Sequence, residues 1–287
     1  MRIDMWLDTC DPWSYLGVRH LRAALEGFVH RDLTEVYLHA FLLDPDLDAP
    51  LDKPRIVALI ESGEATLEEV RASDERMKAL GASEGIRFDF DSLVVAPTSR
   101  AHRVIAAAHD ADIDAGTVVG ASTLHLKVAE AIMRAHFEMG LDVSDPDVLI
   151  GCAQDIGMPA ALAAQAIGEE EWASRVYSDV QVAMHMGVST VPTYVFDARF
   201  LVQGHQTVTA FTNILATAWD NAERTQHDRQ AHRHRGTQPD GPRHAVSSHL
   251  LGTHSLIRRS DAVLRASRHA HEPHRRGVRR TDRRRLR

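Results

Sequence analysis

The chain has 287 residues, 44% hydrophobic and 25% charged, with a net charge of -7 and two cysteines. That is a globular composition with enough length for one or two filled cores. No apolar run reaches the roughly 18 to 20 residues a membrane span needs, and Asp4 and Asp8 interrupt the first apolar segment where a secretory signal would be uncharged. A soluble, cytoplasmic protein with no membrane role is the expectation, and Cys10 and Cys152 lie too far apart in sequence to suggest a disulfide framework or a thiolate metal site.

The first element is an alternating segment, Ile3 to Leu7, that reads as a strand. After Asp8-Thr9-Cys10 comes a helix whose apolar face carries Trp13, Leu16, Gly17, His20, Ala24 and Phe28. Asp11 is the expected N-cap, because its carboxylate can accept the free N–H groups of the first turn, and Pro12 suits the first helical position. Leu33 to Leu43 reads as a buried strand that leaves into a proline-rich loop. Ala65 to Leu80 is helical and stops at Gly81 and Gly85, and Ile86 to Phe90 alternates like a short strand. Ser99 to Ala108, Gly116 to Met139, Asp145 to Asp155, Pro159 to Ile167 and Glu169 to Met186 form five successive helical patterns, the last opening on acids that suit a helix N-terminus. Strand character returns in Thr190 to Phe196 and Phe200 to Val202, split by a turn at Asp197-Ala198. A last helix, capped by Thr207, places Val208, Phe211, Leu215, Ala218 and Trp219 on one face.

The end of the chain is a different material. From Gln226 to Arg287 there are 16 Arg, no Lys and 5 acids, a net +11, whereas the preceding residues carry 17 basic against 35 acidic groups, a net -18. The segment also holds nine His and no Phe, Tyr or Trp, so it lacks the bulky groups that offset the entropy of ordering a chain, and disorder is expected. Without aromatic interleaving, nucleic-acid binding through its phosphate-neutralising arginines is the weaker reading, and translation from a shifted frame of a GC-rich gene is a third. Its histidines, such as His232, His234, His269, His271 and His274, lack acids or cysteines at fixed spacing, so no specific metal site is expected.

The order strand, helix, strand, long helical stretch, strand, strand, helix describes an α/β sheet interrupted by helices. Three motifs give it a family likeness: the run from Asp8 through Cys10, Asp11, Pro12, Trp13, Ser14 and Tyr15 to Gly17; Thr98 with Ala101-His102-Arg103; and Gly187-Val188-Ser189-Thr190-Val191-Pro192-Thr193-Tyr194-Val195. These resemble the DsbA-like thioredoxin family, in particular the branch typified by a protein of frenolicin biosynthesis, whose members read Asp-x-x-Cys-Pro-Trp-Cys-Tyr-Ile-Gly at the first motif. The resemblance implies a thioredoxin-like domain at 1–50 and 187–223 with an inserted all-helical domain at 51–186; the basic tail at 224–287, expected from its composition to be disordered, lies outside it. It also implies a cleft between the two domains and a cis peptide bond before Pro192.

In an active thiol-disulfide member both motif positions are cysteines, the first a thiolate at a helix N-terminus and the second its resolving partner. Here they are Asp11 and Ser14. No dithiol cycle is then available, and Cys10, one residue early, is either a reactive thiol or a small buried hydrophobe at a strand end. Related 2-hydroxychromene-2-carboxylate isomerases and kappa-class glutathione transferases use a serine at the first position to steady the glutathione thiolate. A carboxylate there repels a thiolate unless Asp11 is protonated or Ser14 supplies the hydrogen bond. Asp11 can instead be a general base, although the helix dipole is expected to lower its pKa, and a plain N-cap role accounts for the residue as well.

The resemblance therefore implies an oxidoreductase-like protein acting on a small organic or thiol substrate, with Asp11, Ser14 and Cys10 as catalytic candidates. Trp13, Val191, Pro192 and His102 are the substrate-binding candidates. Glutathione or another low-molecular-weight thiol is the conceivable cosubstrate, no other cofactor is required, and a homodimer is conceivable. The alternatives are a thiol-dependent isomerase or transferase, and a binding protein that lost its chemistry. For His102 a structural hydrogen bond competes with a ligand contact, and His20 on the apolar helix face reads as a satisfied core histidine.

Overall fold

Four strands form a mixed sheet in the order β2-β1-β3-β4. In the computed structural model, which describes residues 1–63 and 65–235 with side chains through Arg224, β1 (Arg2–Leu7) is parallel to β2 (Glu35–Ala40) and antiparallel to β3 (Thr193–Phe196). The hairpin partner of β3 is β4 (Phe200–Gln203). A parallel pair needs a crossover, and α1 (Pro12–Glu26) supplies it between β1 and β2. Asp197 and Ala198 take left-handed φ of 48° and 52° in the three-residue connection between β3 and β4, where the Arg199 N–H closes the turn on the Phe196 carbonyl at 2.9 Å.

Alternation along β1 decides which layer lies on each face. Ile3, Met5 and Leu7 are fully buried in the main core with Leu16, Leu21 and Leu25 of α1 and with Phe211 and Leu215 of α9 (Val208–Arg235). Trp6 points the other way, into a smaller cluster with Ala183, Val188, Val191 and Val195. There α8 (Glu170–Met186) closes the sheet: Asp179 accepts from His39 Nδ1 at 2.7 Å and from the Ala40 N–H at 3.0 Å. Asp4 takes the other ring nitrogen of His39 at 2.9 Å, and the imidazole stacks on Trp6 with 4.3 Å between centroids.

Between β2 and β3 the chain forms α2 (Arg55–Glu61), α3 (Leu67–Ser83), α4 (Ser99–Ala115), α5 (Leu124–Met139), α6 (Pro146–Asp155), α7 (Ala160–Gly168) and α8. Their bounds depart from the sequence pattern at identifiable places. Gly81 does not stop α3; it lies inside the helix, where an added Cβ would collide with the Phe88 ring, so the glycine permits close packing. Ile86 to Phe90 is not a strand, although its alternation is right: Ile86, Phe88 and Phe90 are buried and Arg87 is exposed. Helix α4 continues to Ala115 and ends at Gly116, whose φ of +69° makes it a left-handed cap, so α5 begins only at Leu124. The second strand is shorter than its apolar run, because Leu33 and Leu43 are exposed at its flanks.

Asp11 caps α1 and Thr207 Oγ1 accepts from the Ala210 N–H at the start of α9, as expected. The backbone of α9 runs to Arg235, into the basic segment; the expectation of disorder for 236–287 lies outside the described residues, as do His269, His271 and His274.

Candidate active site

The parallel crossover brings the start of α1 to the C-terminal end of β1, where a short turn, Asp8 to Asp11, must change direction. Asp11 is 7% exposed, and its Oδ2 accepts from the Ser14 N–H at 2.8 Å and from Ser14 Oγ at 2.7 Å. Oδ1 accepts a longer bond, 3.4 Å, from the Trp13 N–H. Burial pushes the Asp11 carboxyl up to about 6; the hydrogen bonds from Ser14 and Trp13 pull the other way, and the charge of Asp8 adds to the rise. The expectation of a lowered pKa from the helix dipole is thus overturned: loss of water outweighs the cap interactions. Ser14 is fully buried, and its hydroxyl proton is committed to Asp11.

Asp8, which the motif argument left without a role, is the centre of the turn. Fully buried, it accepts from the Leu43 N–H at 2.7 Å through Oδ2, and its Oδ1 lies 3.4 Å from His102 Nε2 and 3.5 Å from the Cys10 N–H. Burial opposes its charge, yet His102, the Leu43 N–H and the Thr98 hydroxyl together hold its pKa below the ordinary carboxylate value. An acid ending an apolar strand immediately before a helix cap was the available signal. His102, on α4, therefore meets the turn through Asp8, a positioning contact.

Cys10 is half-buried and free, and burial, the neighbouring charge of Asp8, a hydrogen bond to that carboxylate and the charge of Asp11 push its thiol well above the ordinary value. A thiol so disposed is protonated at neutral pH and a weak nucleophile. Cys152, on α6, is also free and raised by burial.

Beside the turn opens a cavity of about 780 Å³. Cys10 and Pro12 form one edge, and Leu43, Leu51, Leu59, Phe90, Leu93 and Phe137 supply apolar walls. Of the catalytic and substrate-binding candidates named from the sequence, only Cys10 is among the described residues that line it. Trp13 is 42% exposed and packs on His205, centroids 5.4 Å apart, so it leaves the apolar face on which its spacing placed it. His205 Nε2 in turn lies 3.0 Å from Nδ1 of the buried His20, which also contacts the Gln206 carbonyl at 2.9 Å. The Val191-Pro192 bond is cis, and both residues are buried; Pro192 approaches α1 at Gly17, where an added Cβ would lie 3.1 Å from its Cγ.

One cavity residue was missed outright. His136 of α5 is 3% exposed, lines the cavity, and has no hydrogen-bond partner for Nδ1. Burial pushes its pKa down to about 4, against smaller upward contributions from Asp8 and the Leu141 backbone, so the ring is neutral at physiological pH. Sequence spacing gives no sign of it, because His136 sits among apolar helix residues like any core position. No group of three or more His, Cys, Asp or Glu is placed to hold a metal among the described residues, and no described helix is long and apolar enough to cross a membrane.

A βαβ start, a long helical interruption, an antiparallel hairpin and a closing helix, with a cis-proline packed on the first helix, define a thioredoxin-fold protein with helices inserted in its middle. The family model of the DSBA-like thioredoxin domain matches residues 2–216, and the chain belongs to that family. Among solved structures it is similar to a probable DsbA oxidoreductase of Streptomyces coelicolor, with 27% identity and a TM-score of 0.65 over 77% of this chain and 90% of that one. A putative protein disulfide isomerase of Nitrosomonas europaea shares the fold at 15% identity and a TM-score of 0.58, covering 77% and 98% of the two chains. The cytosolic disulfide reductase DsbM of Pseudomonas aeruginosa does so at 18% identity and a TM-score of 0.50, covering 79% and 99%. A comparison with curated proteins found no match.

Proposed function

We propose that the protein acts on a small organic substrate held in the cavity beside the start of α1, by chemistry other than a dithiol cycle. The observation that carries this reading is the cavity itself: about 780 Å³, within the range of small-molecule sites, with the Cys10-Pro12 edge of the family's motif in its wall. In this reading Asp11 and Ser14 stand at the positions that carry the redox cysteines in active family members. Neither residue can form a disulfide, and Cys10 is held as a thiol.

The chemistry left to the turn is proton transfer. Asp11, with a pKa of about 6, is a better base than an ordinary carboxylate at neutral pH, and Oδ1 retains accepting capacity because its one bond is long. Ser14 fixes the rotamer by donating to Oδ2. An isomerase-type step, with Asp11 taking a proton from a substrate reaching the helix N-terminus, fits these roles. The helices of 51–186 would then act as a domain that shapes the cavity over a thioredoxin-like body at 1–50 and 187–223, in a cytoplasmic protein.

A thiol cosubstrate is the second reading, favoured by a structure of DsbM with GSH among those of similar fold. The ionised Asp11 and the committed Ser14 hydroxyl count against a glutathione thiolate at this helix end.

The test is a pair of assays on the full chain. Reduction of insulin by dithiothreitol is expected to proceed no faster with the protein than without it, and Cys10→Ser is expected to change nothing. Turnover that disappears in Cys10→Ser overturns the reading in favour of thiol exchange. Calorimetric titration with reduced glutathione is expected to give no saturable heat; saturable binding moves the assignment to the thiol-dependent transferase or isomerase class.

A further inference from the structure

We propose that residues 44–63, the strap after β2 together with helix α2, form a lid that swings away to admit the ligand of the cavity, and that the Arg55–Asp74 ion pair is its latch. The proposal rests on the cavity being the substrate site, and an asymmetry between the two sides of that cavity carries it.

One side is fixed in the core: Phe90, Leu93 and Phe137 line the cavity and are buried in the main cluster of the protein. The other side is not. From Leu43 to Gly63 no residue is buried, and Leu47, Leu51, Ala58 and Leu59 are half-buried residues whose place is in the cavity wall. Helix α2 has seven residues and no side-chain cap, too short a helix to hold itself in water. A segment that buries so little apolar surface opens locally at a low free-energy cost. A ligand in the cavity touches Ala58 and Leu59 only while this side is closed, so binding favours the closed state.

The segment is bounded by two identifiable points. At its start the Leu43 N–H is held by the buried Asp8 at 2.7 Å, and at its end Gly63 has a φ of +77°, with nothing within 4 Å of where a Cβ would stand. Between them, among the described residues, two polar ties join it to the rest. The Leu51 N–H donates to the Val95 carbonyl at 2.9 Å, and Arg55 donates twice to Asp74 of α3 at 3.0 Å while its guanidinium sits 4.9 Å from the Phe90 ring centroid. The ion pair is bidentate and its side chains are 23% and 13% exposed, so water and salt screen it less than a surface pair. Asp74 lies outside the described lining, which allows the latch to be removed without touching the ligand.

The test uses the full chain and N-phenyl-1-naphthylamine, an apolar dye that fluoresces away from water. Hydrogen exchange followed by mass spectrometry is expected to find the hydrogen-bonded amides of α2 exchanging about a hundredfold or more faster than those of α5, and to slow in α2 when the dye is bound. Asp74→Ala is expected to raise dye association and dissociation together, each by about tenfold in stopped-flow mixing, with the dissociation constant nearly unchanged, because the latch closes over the free and the occupied cavity alike. Asp74→Asn, which keeps an acceptor for Arg55, should fall between. Rates equal to those of the natural protein overturn the latch, as does a change confined to dissociation, which is the mark of altered wall packing. Amides of α2 as protected as those of α5, or unmoved by the bound dye, overturn the lid with no variant needed. Those failures leave saturable dye binding, and with it the cavity reading, in place; absence of saturable binding overturns the cavity reading and the lid with it.

Discussion

Ser14 Oγ donates to Asp11 Oδ2 at 2.7 Å, and the Ser14 N–H donates to the same oxygen at 2.8 Å. One residue thus satisfies the carboxylate twice, and without it the buried Asp11 would be harder still to ionise. Ser14→Ala is expected to raise the Asp11 pKa from about 6 by roughly half to one unit, the equivalent of one lost hydrogen bond. Carbon-13 NMR titration of the aspartate carboxyls reads this directly, and the low-pH inflection of any activity should move with it; an unmoved inflection would remove Asp11 from the chemistry.

Asp11 also makes stability depend on pH in an unusual direction for an acid. Its folded pKa of about 6 stands above the ordinary value of 3.8, so the folded state binds its proton more tightly than the unfolded state does. The contribution is fully present below about pH 4 and is lost as pH rises through 6, by at most about 3 kcal/mol at 1.36 kcal/mol per unit. Asp11→Asn keeps a capping oxygen and removes the ionisation. Urea denaturation is expected to find the variant gaining on the natural protein between pH 4 and 7, and parallel curves would show that Asp11 is not buried as described.

Gly17 and Tyr194 make a second pair. A Cβ on residue 17 would collide with the Tyr194 hydroxyl, which is itself buried without a partner. Gly17→Ala is expected to destabilise the protein by about 1 to 3 kcal/mol through overpacking. Tyr194→Phe removes both the obstacle and an unpaired hydroxyl, so alone it should be neutral or stabilising, by up to about 1 kcal/mol. In the double variant the two effects should not add: much of the loss returns. Additive losses in thermal melts would mean that Pro192, not Tyr194, is what the new methyl meets.

The same pair shows what the sequence carries plainly and what it hides. Local chemistry was legible: Asp11 as cap, Pro12 at the first helical position, the Asp197-Ala198 turn and the alternation of β1 all follow from rules that act within a few residues. Glycines were ambiguous: Gly81 read as a helix stop yet lies inside α3 and makes room for Phe88, whereas Gly116 read as the first residue of a helix yet turns the chain after α4. The family motif pointed to residues 8–17 as the candidate site, but the contacts of Asp8 with Leu43 and His102, and the place of His136 in the cavity wall, depend on segments far away in sequence. Burial also reversed the expected shift of Asp11, because a helix-dipole argument drawn from sequence contains no measure of lost water.

Cys10 should react slowly. With its thiol raised by burial and by Asp8 and Asp11, alkylation by iodoacetamide at pH 8 is expected to be at least tenfold slower than that of free cysteine, and to speed up only in more alkaline solution. Asp8→Asn removes the nearest negative charge and should accelerate the reaction. Mass spectrometry separates Cys10 from Cys152, and rapid labelling of Cys10 at pH 7 would restore it as a nucleophile.

Outside the site, His39 is held between Asp179 at 2.7 Å and Asp4 at 2.9 Å. Burial disfavours its charge, but the two carboxylates outweigh that and raise its pKa above the ordinary 6.5. A raised histidine contributes stability that is complete below its unfolded pKa and is lost as pH rises through the folded one. The natural protein should therefore weaken with rising pH above about 6.5. His39→Phe can keep the stacking on Trp6 but leaves Asp4 and Asp179 without their shared cation, and it is expected to cost about 2 to 4 kcal/mol at pH 6, discounted for partial exposure from the figure for a fully buried pair. The difference between variant and natural protein should shrink as pH rises toward 9. A constant difference in denaturant melts across that range would mean that His39 is neutral in the fold, acting through packing alone.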